Sequence, residues 1–513
     1  MIGNTMKEII YAIFLSFFLC GLCGNAEAKK KKEVKKAIKR EVQTPYDKLF
    51  KGKKAFTVNG LMKMHLMAGK VYAEFPIELL NRDLALTSSI EDISDNGEGV
   101  VGQFAGRVNQ FRFTLQDSML QARLVRRYGV KNTGMGKNAD QIIERSNTPG
   151  IFQSYKILAY TPDKKAVVVD MTELFLESSR LTNPFPSYAG NSLYGFVQRI
   201  HKFQSQRSEL LGICGNDNSM SVHCNLGFNV DRLVLGSFMQ AKDVPVSVTV
   251  NKILMLLPED PMRPRLADSR IGVNAIIQTE LPDVCQGIKT YYITKRWRIE
   301  PVDEIRYKQG EMVDVKKPIV FYIDTLMPDS WIKYVKAGAE AWNAAFEKIG
   351  LRNVVRTELF PKDSSFDAGD IHNSVIRYAP SWMYYPQYSM HTDPRTGEIL
   401  NASVYLPANV ASYFYTSRTE ETMAVDPSVR KARLSEEQFG EMFKAKMMQA
   451  IGRCLGLTDN YAASSVYPVD SLRSASFTRK YGVVASVMDD FTCNKIAQPE
   501  DVKKGVVLVQ QNL

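Results

Sequence analysis

The segment QAIGRCLGLTDN, residues 449–460, closes a long predicted helix and decides the fold of the chain. Residues 436–457 repeat apolar side chains at helical spacing, which predicts one buried face. Gly456 is expected to end the helix, because glycine readily adopts the left-handed conformation found after many helices. The residues of the expected buried face are Phe439, Met442, Phe443, Met447, Ala450, Ile451, Cys454 and Leu455.

The residues before this helix alternate between strand and helix patterns. KKPIVFYID (316–324) predicts an apolar strand, and residues 327–350 predict a first long helix that Asp329 caps and Gly350 ends. NSVIRYAP (373–380) and TGEILNASVYLPA (396–408) predict two further strands. Residues 296–513 are therefore expected to form an α/β domain, with a mixed sheet and two long helices.

The earlier part of the chain has the short alternating runs that are typical of strands. We expect two β-rich domains, residues 46–130 and 131–295, so that the whole protein belongs to the α+β class. A length of 513 residues agrees with two or three globular units. Residues 186–225 are rich in Ser, Asn and Gly and are predicted to be long loops.

The amino terminus has the features of a signal peptide. Lys7 precedes an apolar run, and small residues before Ala28 form a cleavage pattern, so residues 1–28 are expected to be removed. Translation from Met6 would give a similar signal, and the surroundings of Cys20 and Cys23 disfavour a lipoprotein. The mature protein is therefore predicted to be extracytoplasmic, periplasmic or secreted, with no transmembrane segment after cleavage.

A basic segment follows the predicted cleavage site. Lys29–Arg40 holds eight basic residues and one acidic residue, which supply +7 of the formal net charge of +11. Residues 29–45 are expected to be a solvated disordered leader, and contact of Lys29–Arg40 with an anionic envelope surface is the alternative. Nucleic-acid binding is not expected, because basic and aromatic residues do not interleave in the rest of the chain.

The cysteines suggest one local cross-link. Cys214 and Cys224 flank a turn-rich stretch, and in an oxidising compartment they could form a disulfide. His223 stands beside Cys224, but one His and two Cys without a fourth ligand do not make a zinc site.

The later part of the chain carries a family resemblance in a set of ordered segments. These are RWRIEPVD (296–303), KPIVFYID (317–324), AWNAAFEKIG (341–350), SVIRY (374–378), DPRTGEIL (393–400), LGLTDNYAASSVYPVDSLR (455–473) and ASVMDDF (485–491). Together they resemble the secreted zinc-dependent metalloproteases of metzincin type that are common in Bacteroidetes. The resemblance covers roughly residues 45–495 and implies two β-rich domains of unknown function followed by a metzincin zinc-binding domain.

In that family the active helix reads H-E-x-x-H-x-x-G-x-x-H-N. Two histidines at i and i+4 face one zinc ion, and the Gly lets the chain turn so that a third His completes the site. The Glu takes a proton from zinc-bound water. A turn that contains Met lies beneath the metal.

The present chain keeps the frame of this motif and loses its chemistry. Gln449, Arg453 and Asp459 stand at the three ligand positions, and Ala450 stands at the general-base position. The guanidinium of Arg453 would place a fixed positive charge where the metal belongs. We expect it to pair with Asp459 or Asp489, the alternative being a side chain that points to solvent. The residues that retain the frame are Gly452, Gly456, Asn460 and Met488.

The resemblance therefore implies a degenerate member. No cofactor is predicted, since zinc belongs to the active relatives, and the protein is expected to be a pseudoprotease that binds a peptide or protein ligand in the old substrate cleft. The alternative is an active zinc-dependent metalloendopeptidase with an unconventional metal centre, for which His391 is the one serious substitute ligand. The edge strand expected to border the cleft is Ile399, Leu400, Asn401, Ala402, Ser403, Val404 and Tyr405.

Two further expectations concern the same domain. Cys454 lies in the apolar stripe of the helix and is predicted to be a packed core residue rather than a nucleophile. The chain ends soon after Met488, so the domain is expected to be short at its carboxyl end.

Deletion of residues 29–40 tests the leader. If the segment is solvated, its removal should change the free energy of unfolding by less than about 1 kcal/mol, because surface segments rarely contribute more. Urea unfolding of the mature and the shortened protein measures the difference. A shortened protein that does not fold would place this segment in the core.

Overall fold

The computed structural model describes residues 43–125, 130–132, 137–177, 181–185, 197–235, 238–282, 287–362, 366–381, 383–490 and 493–513. The predicted signal peptide, residues 1–28, and the basic segment Lys29–Arg40 lie outside these residues. Residues Pro45–Leu513 form one unit.

The first part of this unit is built mainly from strands, as predicted. Its helices are α1 (Pro45–Phe50), α2 (Lys137–Ser146) and α3 (Thr172–Leu176), with a 3-10 turn at Ile77–Leu79. Its strands are β1 (Phe56–Val58), β2 (Lys63–Met67), β3 (Lys70–Pro76), β4 (Leu84–Ile93), β5 (Phe104–Gln116), β6 (Met119–Leu124), β7 (Val130–Asn132), β8 (Gly150–Lys156), β9 (Ala159–Tyr160), β10 (Ala166–Asp170), β11 (Val197–Asn216), β12 (Ser219–Val234), β13 (Phe238–Leu256), β14 (Ala275–Leu281) and β15 (Lys289–Thr294).

These strands form sheets that do not respect the predicted boundary between residues 130 and 131. One sheet has the order β1-β2-β3-β10-β9, and the largest has the order β11-β12-β13-β4-β5-β6-β8. A third has the order β15-β14-β7. Strands from both predicted domains therefore share the first two sheets, and the division into residues 46–130 and 131–295 is wrong. The first two sheets pack face to face, with the rings of Phe75 and Phe113 4.8 Å apart.

The predicted loops at residues 186–225 are also wrong where the structure describes them. β11 and β12 form a long antiparallel hairpin that pairs from Val197 opposite Val234 to Asn216 opposite Ser219. From Met220 to Val230 every second residue of β12 is apolar and buried, while Ser, His, Asn and Gly fill the positions between. Half of such a strand can be polar without leaving the sheet, because successive side chains face opposite sides. The amino-acid composition of residues 186–225 does not show this alternation.

The same hairpin excludes the predicted disulfide. Cys214 lies opposite Ser221, whereas Cys224 lies opposite Leu210, so the two cysteines are three registers apart along the hairpin. At roughly 3.4 Å per residue this offset exceeds the Cα separation that a disulfide spans. Both thiols are free, and Cys224 is buried with its Sγ donating to the Phe175 carbonyl oxygen over 3.2 Å.

The last part of the unit is an α/β domain, as predicted. Its strands are β16 (Val313–Asp314), β17 (Ile319–Ile323), β18 (Leu351–Arg352), β19 (Val355–Leu359), β20 (Ser374–Tyr378), β21 (Gln387–Thr392) and β22 (Ile399–Leu406). Its helices are α4 (Glu304–Lys308), α5 (Asp329–Glu340), α6 (Asn343–Glu347), α7 (Val410–Thr422), α8 (Glu436–Cys454), α9 (Val469–Leu472), α10 (Ala475–Tyr481) and α11 (Pro499–Lys503), with 3-10 turns at Pro427–Val429 and Ala463–Ser465.

The principal sheet of this domain is mixed and has the order β19-β17-β20-β22-β21. Its strands are parallel except β21, which runs antiparallel to β22. The strand predicted at the edge of the cleft, Ile399–Tyr405, is therefore an inner strand. The described strand at this edge of the sheet is β21, Gln387–Thr392, which forms a hairpin with β22 and pairs along it.

The predicted helix at 327–350 is divided in two. Asn343 bonds the main chain of Val355 in both directions, with its Nδ2 donating to the carbonyl oxygen and its Oδ1 accepting from the amide. Such side-chain bonds compete with helix continuation. Asp329 is the first residue of α5 rather than its cap, and α7 is a long helix that the sequence reading missed.

Helix α8 is the centre of the domain core. Ser435 and Gln438 form a reciprocal capping box at its start. Phe443, Met447 and Ile451 are fully buried between the sheet and α5. The two helices approach closely at Gly338, where an added Cβ would lie 2.5 Å from Met447 Cβ and 2.9 Å from the Lys444 carbonyl oxygen.

No helix in the described ranges combines the length and the apolarity that a membrane crossing requires.

Substitution of Gly338 by Ala tests the contact between α5 and α8. Alanine favours a helix by up to about 1 kcal/mol over glycine, but the collision with backbone and Cβ atoms should outweigh this gain. We expect a loss of about 1–3 kcal/mol in the free energy of unfolding, measured by urea denaturation. Gly212→Ala is the control, because an added Cβ there meets no atom within 4 Å. Equal stability of the two variants would contradict the contact.

Candidate functional site

The end of helix α8 is shaped by Gly456. This residue has φ +102°, and the Leu457 amide donates to the Gly452 carbonyl oxygen over 3.0 Å while the Gly456 amide donates to that of Arg453 over 3.0 Å. This is a Schellman turn. A Cβ at residue 456 would lie 2.5 Å from the Lys295 carbonyl oxygen, so the position has room only for glycine. The helix ends at Cys454, three residues before the predicted end.

The chain beyond this turn is held by the preceding part of the protein. The Asn274 amide donates to the Gly456 carbonyl oxygen over 2.7 Å, and the Thr458 amide donates to that of Gly272 over 3.0 Å. The Asn460 amide then donates to the Met488 carbonyl oxygen over 2.9 Å. The turn therefore directs residues 458–460 back along the helix.

Met488 lies beneath the helix at Gly452. The Met488 side chain is buried, and a Cβ at residue 452 would collide with its sulfur and lie 2.6 Å from Cζ2 of Trp342. The indole Nε1 of Trp342 donates to the Met448 carbonyl oxygen over 2.8 Å. The structure thus brings together the four residues that keep the frame of the motif, Gly452, Gly456, Asn460 and Met488.

Gln449 and Ala450, the first two of the four positions predicted to be replaced, lie on the floor of a cavity. Gln449 is buried, with its Nε2 donating to the Asp489 carbonyl oxygen over 2.8 Å and its Oε1 3.4 Å from Lys446 Nζ. Ala450 is 5% exposed and presents only a methyl group. Neither residue supplies a base that could accept a proton from water.

The other two replaced positions form an ion pair. Arg453 Nε and Nη2 donate to Asp459 Oδ1 over 3.1 and 2.6 Å. The guanidinium carbon lies 5.7 Å from the ring centre of Tyr388, within cation–π distance. The carboxylate of Asp489 accepts from the Ser464 amide over 2.7 Å. Of the expected partners, Asp459 is the one that Arg453 contacts, and the alternative of a solvent-directed arginine is wrong.

These residues do not fit a zinc ion. Arg453 carries a permanent positive charge and has no lone pair for a metal. The Asp459 oxygen that faces it already accepts two hydrogen bonds, and Gln449 is a neutral amide whose oxygen faces an ammonium group. The described residues contain no cluster of three His, Cys, Asp or Glu side chains that could hold a metal.

The cavity in front of these residues has a volume of about 500 Å³. Its floor is the face of α8 that carries Lys446, Gln449, Ala450 and Arg453. Tyrosines and charged side chains complete its walls, and the residues are Tyr385, Pro386, Tyr413, Ser417, Glu421, Tyr461, Asp490 and Lys495. Tyr385 and Pro386 immediately precede the edge strand β21. We call this cavity the α8 cleft.

Two tyrosines near the ion pair have shifted pKa values. Burial raises the pKa of Tyr388, although the positive charge of Arg453 opposes this shift. The negative charge of Asp459 raises the pKa of Tyr461, whose hydroxyl lies 3.4 Å from Asp459 Oδ2. Both phenols therefore stay protonated at neutral pH, and Tyr461 is the one of the two that lines the cleft.

Sequence reasoning missed Lys446. This lysine precedes Gln449 by three residues, so the two side chains share one face of the helix. That spacing is the sequence signal that could have identified Lys446 as a site residue. Its side chain is 10% exposed, and Nζ lies 3.6 Å from Asp490 Oδ1. A nearly buried ammonium thus lies beside the first replaced position.

The other candidates lie outside the cleft. Cys454 is fully buried and burial raises the pKa of its thiol, which confirms a core residue. His391 is on β21 but faces the first part of the protein, with its ring centre 4.7 Å from that of Phe104. It is therefore not a substitute ligand in the α8 cleft. The remaining histidines each pair with a carboxylate elsewhere, namely His65 with Glu74, His201 with Glu98, His223 with Glu91 and His372 with Asp370.

Comparison with known proteins gives two family matches. Residues 102–302 match a domain of unknown function, DUF5117, and residues 431–513 match a family described as Met-zincin, DUF4953. No curated protein and no solved structure matches the chain. The Met-zincin match contains α8, the Schellman turn and Met488, and it follows a β-rich match that overlaps the large sheet. The two matches together support a metzincin-like family for this chain.

Proposed function

We propose that the protein is a catalytically inactive metzincin homologue that binds a peptide or protein ligand in the α8 cleft. The observation that carries the proposal is the ion pair between Arg453 and Asp459, which joins the second and third ligand positions of the motif. The positions that hold a metal in active relatives are here linked to each other by a salt bridge.

Electrostatics oppose a metal at this place. Two like unit charges about 4 Å apart repel by about 4 kcal/mol at an effective dielectric constant near 20. A divalent cation beside Arg453 would meet this repulsion for each of its charges. It would also have to displace Asp459 from the guanidinium, which would leave a partly buried arginine unpaired.

Activation of water needs a general base as well as a metal. A general base must lie within hydrogen-bonding distance of the proton that it removes. The methyl group of Ala450 occupies the position of that base, and Gln449 beside it is a neutral amide. Hydrolysis by the family's mechanism therefore has neither its metal nor its proton acceptor.

Ligand binding is supported by what the site retains. The α8 cleft has a volume of about 500 Å³, within the usual range of ligand pockets. The edge strand Gln387–Thr392 begins at the mouth of the cleft and pairs on one side with β22. An exposed strand edge offers main-chain groups that an extended peptide can pair with. This edge takes the role that was expected of Ile399–Tyr405.

An extracytoplasmic location belongs to the same proposal. Its support is the sequence of residues 1–28, with Lys7, an apolar run and a cleavage pattern at Ala28. Amino-terminal sequencing of protein exported by the producing cell should begin after Ala28. Recovery of the uncleaved chain in the cytoplasm would contradict this part.

Metal analysis tests the inactive site. Protein purified from zinc-supplemented medium should contain well below one zinc per chain, and a chelator should leave its melting temperature unchanged. A ligand that binds only the folded state stabilises it, so bound zinc would be visible as a loss of stability on chelation. Stoichiometric zinc that survives dialysis, together with peptidase activity, would favour the alternative of an active enzyme with an unconventional centre.

Restoration of the motif tests the geometry. The variant Gln449→His, Ala450→Glu, Arg453→His and Asp459→His should bind zinc tightly, because the backbone frame of the Schellman turn and Met488 is intact. Elemental analysis and the rise in melting temperature with zinc measure the gain.

The matched control carries the same changes at Gln449, Ala450 and Asp459 but retains Arg453. It should take up no zinc, because the guanidinium stays in the site. If the folded fourfold variant also remained free of zinc, the local geometry would differ from that of a metal-binding helix.

A further inference from the structure

The floor of the α8 cleft carries two cations on one helical face. Lys446 and Arg453 are seven residues apart, which is about two helical turns or roughly 10 Å along the axis. Ala450 lies between them and leaves open space above the helix. We propose that the ligand of the cleft is an extended peptide with a carboxylate, which Lys446 binds and Arg453 assists. This inference rests on the proposed binding function and specifies its ligand class.

Lys446 is the main anchor, because its ammonium group is poorly satisfied for a buried charge. Its side chain is 10% exposed, yet Nζ has one hydrogen bond among the described residues, a long one of 3.4 Å to Gln449 Oε1. An ammonium has three donors. The ring of Tyr413 lies 5.9 Å from Nζ and contributes a weak cation–π contact.

The ionic partner of Lys446 is easily replaced. Asp490 Oδ1 lies 3.6 Å from Nζ, beyond hydrogen-bonding distance, and the Asp490 side chain is 68% exposed. Exposed ion pairs contribute little to stability, because water solvates the carboxylate almost as well. A ligand carboxylate that enters the cleft can therefore displace Asp490. The desolvation of Lys446 has already occurred on folding, so binding does not add it.

Arg453 adds a second, weaker contact. Asp459 occupies Nε and Nη2, while Nη1 makes no hydrogen bond to the described residues. A guanidinium has five N–H donors, so donors remain for an oxygen atom of the ligand. The third cation of the walls, Lys495, lies 3.6 Å from Glu421 Oε1 and is 60% exposed, which makes it a peripheral group.

The shape of the cleft favours a peptide strand as the carrier of the carboxylate. The tyrosines Tyr385, Tyr413 and Tyr461 give it flat apolar walls with hydroxyl groups. Strand β21 lies beside it, and Tyr388 of that strand faces Arg453. A peptide paired with β21 would advance about 3.3 Å per residue. A side chain at one of its positions could therefore come within reach of either cation.

Two sources of the carboxylate share this chemistry. One is an aspartate or glutamate side chain within the peptide, and the other is the free carboxyl terminus. The probe is a set of fluorescein-labelled nine-residue peptides of Ala, Ser and Val that carry one glutamate at each position in turn. A matched set carries glutamine instead, and each peptide is made with a free or an amidated carboxyl terminus.

Fluorescence anisotropy with the mature protein gives the affinities. At least one glutamate peptide or free-acid peptide should bind about tenfold more tightly than its glutamine or amide counterpart, as expected for a hydrogen bond to a charged group. Preference for internal glutamate with an amidated end assigns the side chain, and preference for the free acid in the glutamine set assigns the terminus. Equal binding of charged and neutral peptides would overturn the inference and leave the proposed function standing. Absence of binding by every peptide would overturn both.

Variants locate the preference at Lys446. Lys446→Met should remove most of the tenfold preference, and Lys446→Arg should retain it. Asp490→Asn removes the competing carboxylate from an exposed position and should tighten the binding of acidic peptides severalfold. The control is Lys348→Met, which removes an equal charge from an exposed position directly after α6. Lys348 does not line the cleft, so this variant should change nothing.

A result in which Lys446→Met folds, as judged by its melting curve, and keeps the full preference would overturn the inference. If Lys446→Met does not fold, Asp490→Asn decides in its place. Unchanged affinity of Asp490→Asn for acidic peptides would then contradict a carboxylate site at Lys446.

Discussion

The close contact between Gly456 and the Lys295 carbonyl oxygen is the constraint on which the site depends. With no room for a Cβ, the chain leaves α8 in a left-handed turn and folds back toward the helix. This reversal places Asp459 beside Arg453 and the Asn460 amide on Met488. Loss of the turn would separate all of these partners at once.

The same turn joins the two parts of the protein. Residues 272–274, which follow the large sheet, bond the main chain of residues 456–458. Interleaved strands make the earlier part a single body, so the helix end is anchored to an extensive structure rather than to a loop. The geometry of this helix end does not depend on the side chains at positions 450, 453 and 459, because the main-chain bonds that hold it do not involve them.

The polar side chains of the site are paired within the protein. Arg453 and Asp459 neutralise each other, Gln449 bonds the Asp489 carbonyl oxygen, and Ala450 opens the floor of the cleft. Gln449, Arg453 and Asp459 thus each have a protein partner, as buried polar groups require. Lys446 departs from this rule, since its ammonium is largely buried and has one long hydrogen bond among the described residues.

The sequence by itself determined the α/β domain and the helix α8. Helical periodicity, the glycines and the ordered segments are local features, so they can be read without knowledge of distant contacts. The motif left Asp459 and Asp489 open as partners of Arg453, and the structure shows that the partner is Asp459. Composition was a poorer guide at residues 197–234, where polar residues on alternate positions concealed two long strands.

Only the tertiary structure decided which strand forms the edge, how the β-rich sheets interleave and what surrounds Lys446. Strand order depends on pairing between residues far apart in the chain, and a segment such as Gln387–Thr392 gives no local sign that it covers β22. The separation of Cys214 and Cys224 is likewise set by the register of the hairpin, which the sequence does not show. The surroundings of Lys446 include Tyr413 of α7 and the chain near Asp490, which meet only when the domain has folded.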